Sequence, residues 1–276
     1  MSVCGCGVEL ECTDPHVLAL VRTVYGKMVG NGVGAVPCIK GQLSFKPVDT
    51  FYRINLDDQD DCVVTSESDF LFQLEKKLEL RLQELRPDLV FLHAASVVQH
   101  GRSVLLVAPS GVGKSTLTWA LLHQGFQYLS DELAPVELEA LRVIPYPRAL
   151  CLKADPPEPF ALPDEIVRTV DTIHVPIEKF PATAMNEAQS LNAIVFLERG
   201  GLPVNDAPRR LGVGESAVRL YANVLNALAH SHDGLDAAAR MAESIPCYLF
   251  DSSNLLDAGS KIAAVLAAST PIVAKH

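Results

Sequence analysis

The chain has 276 residues, 49% of them hydrophobic and 20% charged, enough to bury one large core or two modest ones. Its formal net charge of −10 excludes a general nucleic-acid-binding or anionic-membrane surface. No apolar run reaches the roughly 18 residues of a membrane span, and the acidic start MSVCGCGVELECTD lacks the basic and apolar regions of a secretory signal, so a cytoplasmic protein is expected.

Seven scattered cysteines do not form the framework of a small secreted domain. Cys4, Cys6 and Cys12 cluster without a C-x-x-C or histidine partner, which favours free thiols over a metal site. Asp14 and Pro15 begin a helix through Leu18, Leu20, Val21 and Val24, which ends near Gly30, Gly32 and Gly34. Residues 35–65 alternate as strands around Asp57, Asp58, Asp60 and Asp61, an acidic run that reads as a solvated hairpin tip rather than a cation site. Residues 69–86 carry leucines at three- and four-residue spacing, with Ser68 or Asp69 as cap and Pro87 as stop. That leucine stripe predicts a core face. The boundary between an accessory α+β region, 1–87, and a second region, 88–276, is expected here.

Leu89–Val98 and Ser103–Val107 predict a hairpin across Gln99-His-Gly-Arg102, with His93 inside its first strand. Then comes Ala108-Pro-Ser-Gly-Val-Gly-Lys-Ser115, the G-x-x-x-x-G-K-[ST] pattern with its first glycine changed to alanine, followed by a helix from Thr116 to Gln124. Strand, glycine-rich loop and helix in that order are the context a phosphate loop requires. Gly111 and Gly113 let amides at Ser110, Gly111, Val112, Gly113, Lys114, Ser115 and Thr116 face phosphate oxygens, and the helix N-terminus adds its partial positive charge. Lys114 would reach the β- and γ-phosphates, and the Ser115 hydroxyl would sit on Mg²⁺.

A helix of about 15 Å followed by the strand Phe126–Ser130 of about 16 Å returns the chain to the level of the loop at Asp131-Glu132. Of two carboxylates beside a magnesium–nucleotide site, one can bind the metal and the other can accept a proton from an attacking hydroxyl. Beyond them, residues 154–190 read as a proline-rich, loop-dominated region, in which His174 and Lys179 are expected at the surface. Leu191–Leu197 predicts a buried strand, and Arg209 and Arg210 an exposed pair. Helices are expected over about 215–229, with Val218, Tyr221, Ala222, Leu225 and Leu228 on one face, over 235–243 and over 255–266. A strand is expected at Ile245–Phe250.

His93 on a strand, the loop at 108–115, its helix and the acid pair 16 residues after Ser115 resemble the HPr kinase/phosphorylase family and its stand-alone relatives, including lasso-peptide precursor kinases. Pro145-Tyr-Pro-Arg-Ala-Leu-Cys-Leu-Lys153 and Ile194-Val-Phe-Leu-Glu198 are similar to segments of the same group. The resemblance implies an α/β fold, with a P-loop nucleotide core of the HPr kinase and phosphoenolpyruvate carboxykinase type behind the smaller N-terminal region. It implies ATP- and Mg²⁺-dependent transfer of the γ-phosphoryl group to a hydroxyl, foremost serine of a protein or peptide, and allows a homo-oligomer. Carried over residue by residue, Lys114 and the loop amides hold phosphates, while Ser115 and Glu132 serve Mg²⁺. Asp131 is the general base, His93 an active-site neighbour, and Arg148 a cation for the transferred phosphoryl group. Ala108 and Glu132 depart from the family's glycine and second aspartate, and the glycine-rich signature of the bifunctional enzymes is missing. A small-metabolite kinase, or a nucleotide switch without an acceptor, are the competing readings.

Overall fold

The computed structural model describes residues 1–29, 37–46, 51–57, 61–200 and 207–269. Asp58, Asp60 and the helix end near Gly30, Gly32 and Gly34 lie outside them. The fold is mixed α/β. In chain order it begins β1 (Ser2–Val3), β2 (Cys6–Cys12), α1 (Pro15–Tyr25), β3 (Pro37–Lys46), β4 (Phe51–Leu56), β5 (Cys62–Val64) and α2 (Glu67–Leu85). It continues with β6 (Leu89–Gln99), β7 (Arg102–Val107), α3 (Lys114–His123), β8 (Gln127–Ser130), β9 (Leu133–Glu137) and β10 (Arg142–Val143). Then come β11 (Leu150–Leu152), β12 (Val167–Arg168), β13 (Ile173–Val175), β14 (Gln189–Glu198) and β15 (Arg209–Arg210). Last are α4 (Val213–Tyr221), α5 (Leu235–Ser244), β16 (Cys247–Asp251) and α6 (Ala258–Ala268).

Two compact units result. One comprises Met1–Arg86, Arg148–Pro157 and Ala161–Lys179. It holds the sheet β1-β2-β3-β4-β5 and the small sheet β11-β13-β12. Helix α1 starts where expected, with the Asp14 carboxylate accepting from the amides of His16 and Val17 at 2.9 and 3.1 Å. Helix α2 starts at Glu67, because Ser66 rather than Ser68 or Asp69 is the cap: its hydroxyl accepts from the Asp69 amide at 3.0 Å. Its leucines at 71, 74, 78 and 82 are buried, as a core stripe should be. No group of three His, Cys, Asp or Glu side chains among the described residues is arranged to hold a metal.

The other unit comprises Pro87–Pro147, Glu158–Phe160 and Phe180–His276. Its sheet runs β10-β9-β6-β7-β14-β16-β15, with β8 also paired to β6. Strands β7, β14 and β16 are parallel, so their C-terminal ends share one edge. Side chains alternate between two apolar layers. Leu105, Val107, Ile194 and Phe196 cluster with Ala217 and Leu220 of α4 and with Ala237, Ala238 and Met241 of α5. Val104, Leu106, Val195 and Leu197 cluster with Leu117 and Leu121 of α3 and with Ile262 and Leu266 of α6. A sheet buried on both faces explains the nearly continuous apolar runs of β6, β7 and β14. No helix among the described residues is long and apolar enough to cross a membrane.

The helix expected over 215–229 stops at Tyr221. Residues 223–225 instead bond to the outer rim of β6: the His93 amide donates to the Asn223 carbonyl at 2.9 Å, and the Leu225 amide to the Phe91 carbonyl at 2.8 Å. Pairing with a strand satisfies these groups as well as another helical turn would, and it ends the helix. The expected apolar face is consequently outside, with Val218 at 67% and Leu228 at 89% exposure, while Ser216, Ala217 and Leu220 face inward.

Candidate functional site

Strands β6 and β7 pair antiparallel from Ala94↔Val107 to Gln99↔Arg102, around a tight turn with positive φ at His100 (51°) and Gly101 (73°). The glycine-rich loop leaves the end of β7 and enters α3 at Lys114, two residues earlier than the sequence suggests. Gly111 and Gly113 have φ of 88° and 111°, which side-chain-bearing residues rarely adopt. A Cβ at either position would meet nothing within 4 Å, so conformation rather than crowding demands glycine there. No side chain caps α3, whose N-cap is Gly113, so its first-turn amides and dipole face the loop.

Lys114 is buried, at 4% exposure. Its Nζ lies 3.0 Å from His93 Nε2 and 3.4 Å from the Ala108 carbonyl oxygen. Among the described residues no carboxylate forms an ion pair with it. A buried ammonium at a helix N-terminus, with no carboxylate ion partner among the described residues, makes a site that an anion completes. Within the same loop Ser110 and Gly111 are exposed, and Val112, Gly113, Ser115 and Thr116 are half-buried.

The acid pair is delivered by a break in the sheet. β8 pairs with β6 at Ser96–Val98 and β9 pairs with it at Leu89–His93, so Asp131 and Glu132 form the step between two strands on the same rim. A buried hydroxyl pair, Ser96 with Ser130 at 2.6 Å, anchors the chain one residue before the step. Glu132 makes the step with φ +70°, a strained value for a residue other than glycine. Asp131, fully buried, accepts from the Ser115 hydroxyl at 3.0 and 3.2 Å through its two oxygens. Glu132 turns the other way, and its Oε2 lies 2.8 Å from His93 Nε2. Its side chain is 34% exposed.

His93 thus sits between Lys114 and Glu132, and both address one ring nitrogen. Nε2 has a single in-plane position: bare, it accepts from the ammonium, and protonated, it donates to the carboxylate.

Arg148 belongs to the first unit, where it is 1% exposed and ion-paired to Glu75 at 2.5 Å. His174 also lies in that unit and is buried rather than superficial. Its Nε2 lies 2.9 Å from the Thr172 hydroxyl, and burial, with the nearby Arg148 charge, pulls its pKa down to about 4. Lys179 pairs with Glu165. Arg209 and Arg210 are exposed at the far edge of the sheet, where Arg210 stacks on Tyr248 at 5.2 Å. Asn226 had no signal in the sequence. Its side-chain oxygen accepts from the Phe91 amide at 2.9 Å and its nitrogen donates to the Leu89 carbonyl at 2.8 Å, which continues the rim that Asn223 and Leu225 start beside His93.

No family model matches the chain, and no curated protein matches it. Among solved structures it is similar to an HPr(Ser) kinase/phosphatase from Coxiella burnetii. The two are 17% identical, with 64% of this chain and 93% of that chain covered and a TM-score of 0.35.

Proposed function

We propose that the second unit is an ATP-dependent phosphotransferase that moves the γ-phosphoryl group to a hydroxyl, foremost serine of a protein or peptide. The observation that carries the reading is Lys114: a buried ammonium without a carboxylate partner among the described residues, at the uncapped N-terminus of α3, beside Ser115 and Asp131. Nucleotide phosphates supply the missing charge. The acceptor class follows the resemblance of residues 88–153 and not the geometry.

The donor set of Ser115 and Asp131 is all oxygen, which fits Mg²⁺ held by one carboxylate, one hydroxyl and the oxygens of a nucleotide. Mg²⁺ bound there would neutralise phosphate charge. Asp131 therefore takes the metal-side role, and Glu132, one-third exposed and beside His93, takes the role of base. That exchanges the two roles implied by the resemblance. In the reaction the acceptor oxygen attacks the γ-phosphorus, the bond to the β,γ-bridging oxygen breaks, ADP leaves, and the acceptor proton passes to Glu132. Lys114 orients the phosphates, and His93 keeps the Glu132 carboxylate turned toward the acceptor.

The test is Mg-ATP titration by calorimetry, together with label transfer from [γ-³²P]ATP to serine peptides and to metabolite pools. The wild-type chain should bind Mg-ATP and label a serine peptide, and Lys114→Met should bind at least tenfold more weakly, the loss of about 1.4 kcal/mol or more expected for a charge-assisted contact. Equal binding by both would refute the site. Label in the metabolite pool alone would refute the peptide acceptor.

A further inference from the structure

One edge of β6 changes its neighbour beside the site. From Gln99 to Ala94 it pairs with β7, and Ala94 is the register partner of Val107, the last residue before the loop. One residue further on, the edge passes to the segment that follows α4. Leu92 and Val224 form an antiparallel bridge there, flanked by the His93 and Leu225 amides on the Asn223 and Phe91 carbonyls. Residues 223–225 thus take the row that β7 vacates where the loop leaves it. The register also settles the faces. Leu92 and Val224 pack into the layer of α4 and α5. Ala95 and Val97 pack into the layer of α3, so His93 is on the α3 side, where its ring meets Lys114. Leu225, next to Val224 and across from Phe91, is on that side too. Its side chain is 40% exposed. Diagonal neighbours on one face of an antiparallel pair lie about 7–8 Å apart, and that is the step from His93 to Leu225. Helical periodicity groups Leu225 with Val218, but α4 ends between them. Val218 stays on a helix whose Ala217 and Leu220 pack on the opposite face of the sheet.

We propose that Leu225 selects the acceptor, by seating an apolar side chain two positions from the serine that is phosphorylated. This rests on the phosphotransferase reading above. In-line transfer puts the attacking oxygen and ADP on opposite sides of the γ-phosphorus. The loop holds the ADP phosphates at the Ala94 end of this stretch of β6, so the acceptor comes in over the His93–Phe91 end. Glu132 reaches His93 Nε2 at 2.8 Å from the other edge of β6, where Leu133 is the register partner of His93. In an extended peptide, residues two apart point to the same side and are spaced by about 7 Å. A serine hydroxyl at Glu132 and His93 therefore brings the second residue over Leu225. The seat is held from beneath: the Leu225 amide bonds to Phe91 at 2.8 Å, and the Asn226 side chain bonds to β6 immediately after it. An apolar side chain removes leucine surface from water, whereas an acidic one loses hydration beside leucine and is repelled by Glu132.

The experiment measures label transfer from [γ-³²P]ATP to single-serine peptides that differ only in carrying Leu, Ala or Asp at the second position before or after the serine. Wild type, Leu225→Ser, Leu225→Lys and Val218→Ser are compared, with Mg-ATP affinity measured by calorimetry. On one side of the serine, wild type should use the Leu peptide with kcat/KM at least about tenfold above the Asp peptide. Leu225→Ser should narrow that ratio to less than about threefold, and Leu225→Lys should turn it in favour of Asp. Val218→Ser, an exposed apolar residue lost from the opposite face, should keep the wild-type ranking. Both positions are exposed, so the substitutions should leave folding and Mg-ATP affinity close to wild type. A Leu225→Ser chain that keeps the wild-type ranking, or a Val218→Ser chain that loses it, overturns the assignment. A wild type that labels the Leu, Ala and Asp peptides equally on both sides overturns the assignment alone and leaves the phosphotransferase reading standing. A wild type that binds Mg-ATP but labels no serine peptide overturns the peptide acceptor, and one that binds no Mg-ATP overturns the phosphotransferase reading; the role of Leu225 falls with either.

Discussion

His174 offers a stability test that needs no substrate. In the folded chain its imidazole is 4% exposed, and its Nδ1 meets no donor or acceptor among the described residues. Burial first, and then the Arg148 charge, hold its pKa near 4, against 6.5 for a free imidazole. The unfolded chain therefore binds the proton that the folded chain refuses between pH 6.5 and 4, and stability falls as pH drops through that window. Integrated from pH 7 to pH 5, the loss is about 2 kcal/mol, and over the whole window about 3 kcal/mol. Below pH 4 both states are protonated and the loss stops growing. Asp155 and Glu165, whose pKa hydrogen bonds from Arg168 and Lys179 lower, add a loss of their own as pH falls through the carboxylate range, and the His174→Gln comparison separates it from that of the imidazole. The single tryptophan, Trp119, lies in the other unit, so hydrogen exchange of peptides spanning β11 and β13 is the suitable readout. After correction for intrinsic rates, protection there should fall about twentyfold between pH 7 and pH 5 in the wild type. It should hardly change in His174→Gln. Equal protection at both pH values in the wild type, or the same loss in the variant, would refute the buried neutral imidazole.

Two further outcomes bear on the frame of the site. Asn226→Ala leaves the Phe91 amide without its side-chain partner in a buried setting, while the Leu89 carbonyl keeps His230 Nε2 at 3.2 Å, so unfolding free energy should fall by about 1–3 kcal/mol in urea titrations. A change under about 0.5 kcal/mol would show that residues 223–229 do not hold that rim. Gly113→Ala forces alanine to φ 111° with no steric gain or clash, and should destabilise the chain by about 1–3 kcal/mol while abolishing Mg-ATP binding. A variant of wild-type stability would mean that the loop takes another conformation.

The chain spelled out its loop, its helix starts and its strands unevenly. Capping at Asp14 and the leucine stripe of α2 are local signals, and local physics realises them. The hairpin β6–β7 was visible because its turn chemistry sits between two apolar runs. Asp131 and Glu132 were legible as a pair from chain lengths alone, since a helix and a strand of matching length return to the same level. Their opposite directions were not legible. They depend on the positive φ of Glu132 and on the Ser96–Ser130 contact, which joins residues 34 apart. The 215–229 helix was misread for the same kind of reason: its periodicity is genuine, but backbone groups at 223–225 find partners on β6, far off in sequence, and an apolar face was left outside. The Glu75 contact of Arg148 joins residues 73 apart in sequence and had no local signal.

The most direct test of the site as a transfer centre separates its two acids. Glu132→Gln and Asp131→Asn are compared with wild type for Mg-ATP affinity and for label transfer to a serine acceptor. If Glu132 is the base, Glu132→Gln should lose about 10²–10⁴-fold in transfer while binding Mg-ATP as wild type does, and Asp131→Asn should weaken Mg-dependent nucleotide binding itself. Full turnover by Glu132→Gln, or loss of Mg-ATP affinity in Glu132→Gln and not in Asp131→Asn, would contradict the account.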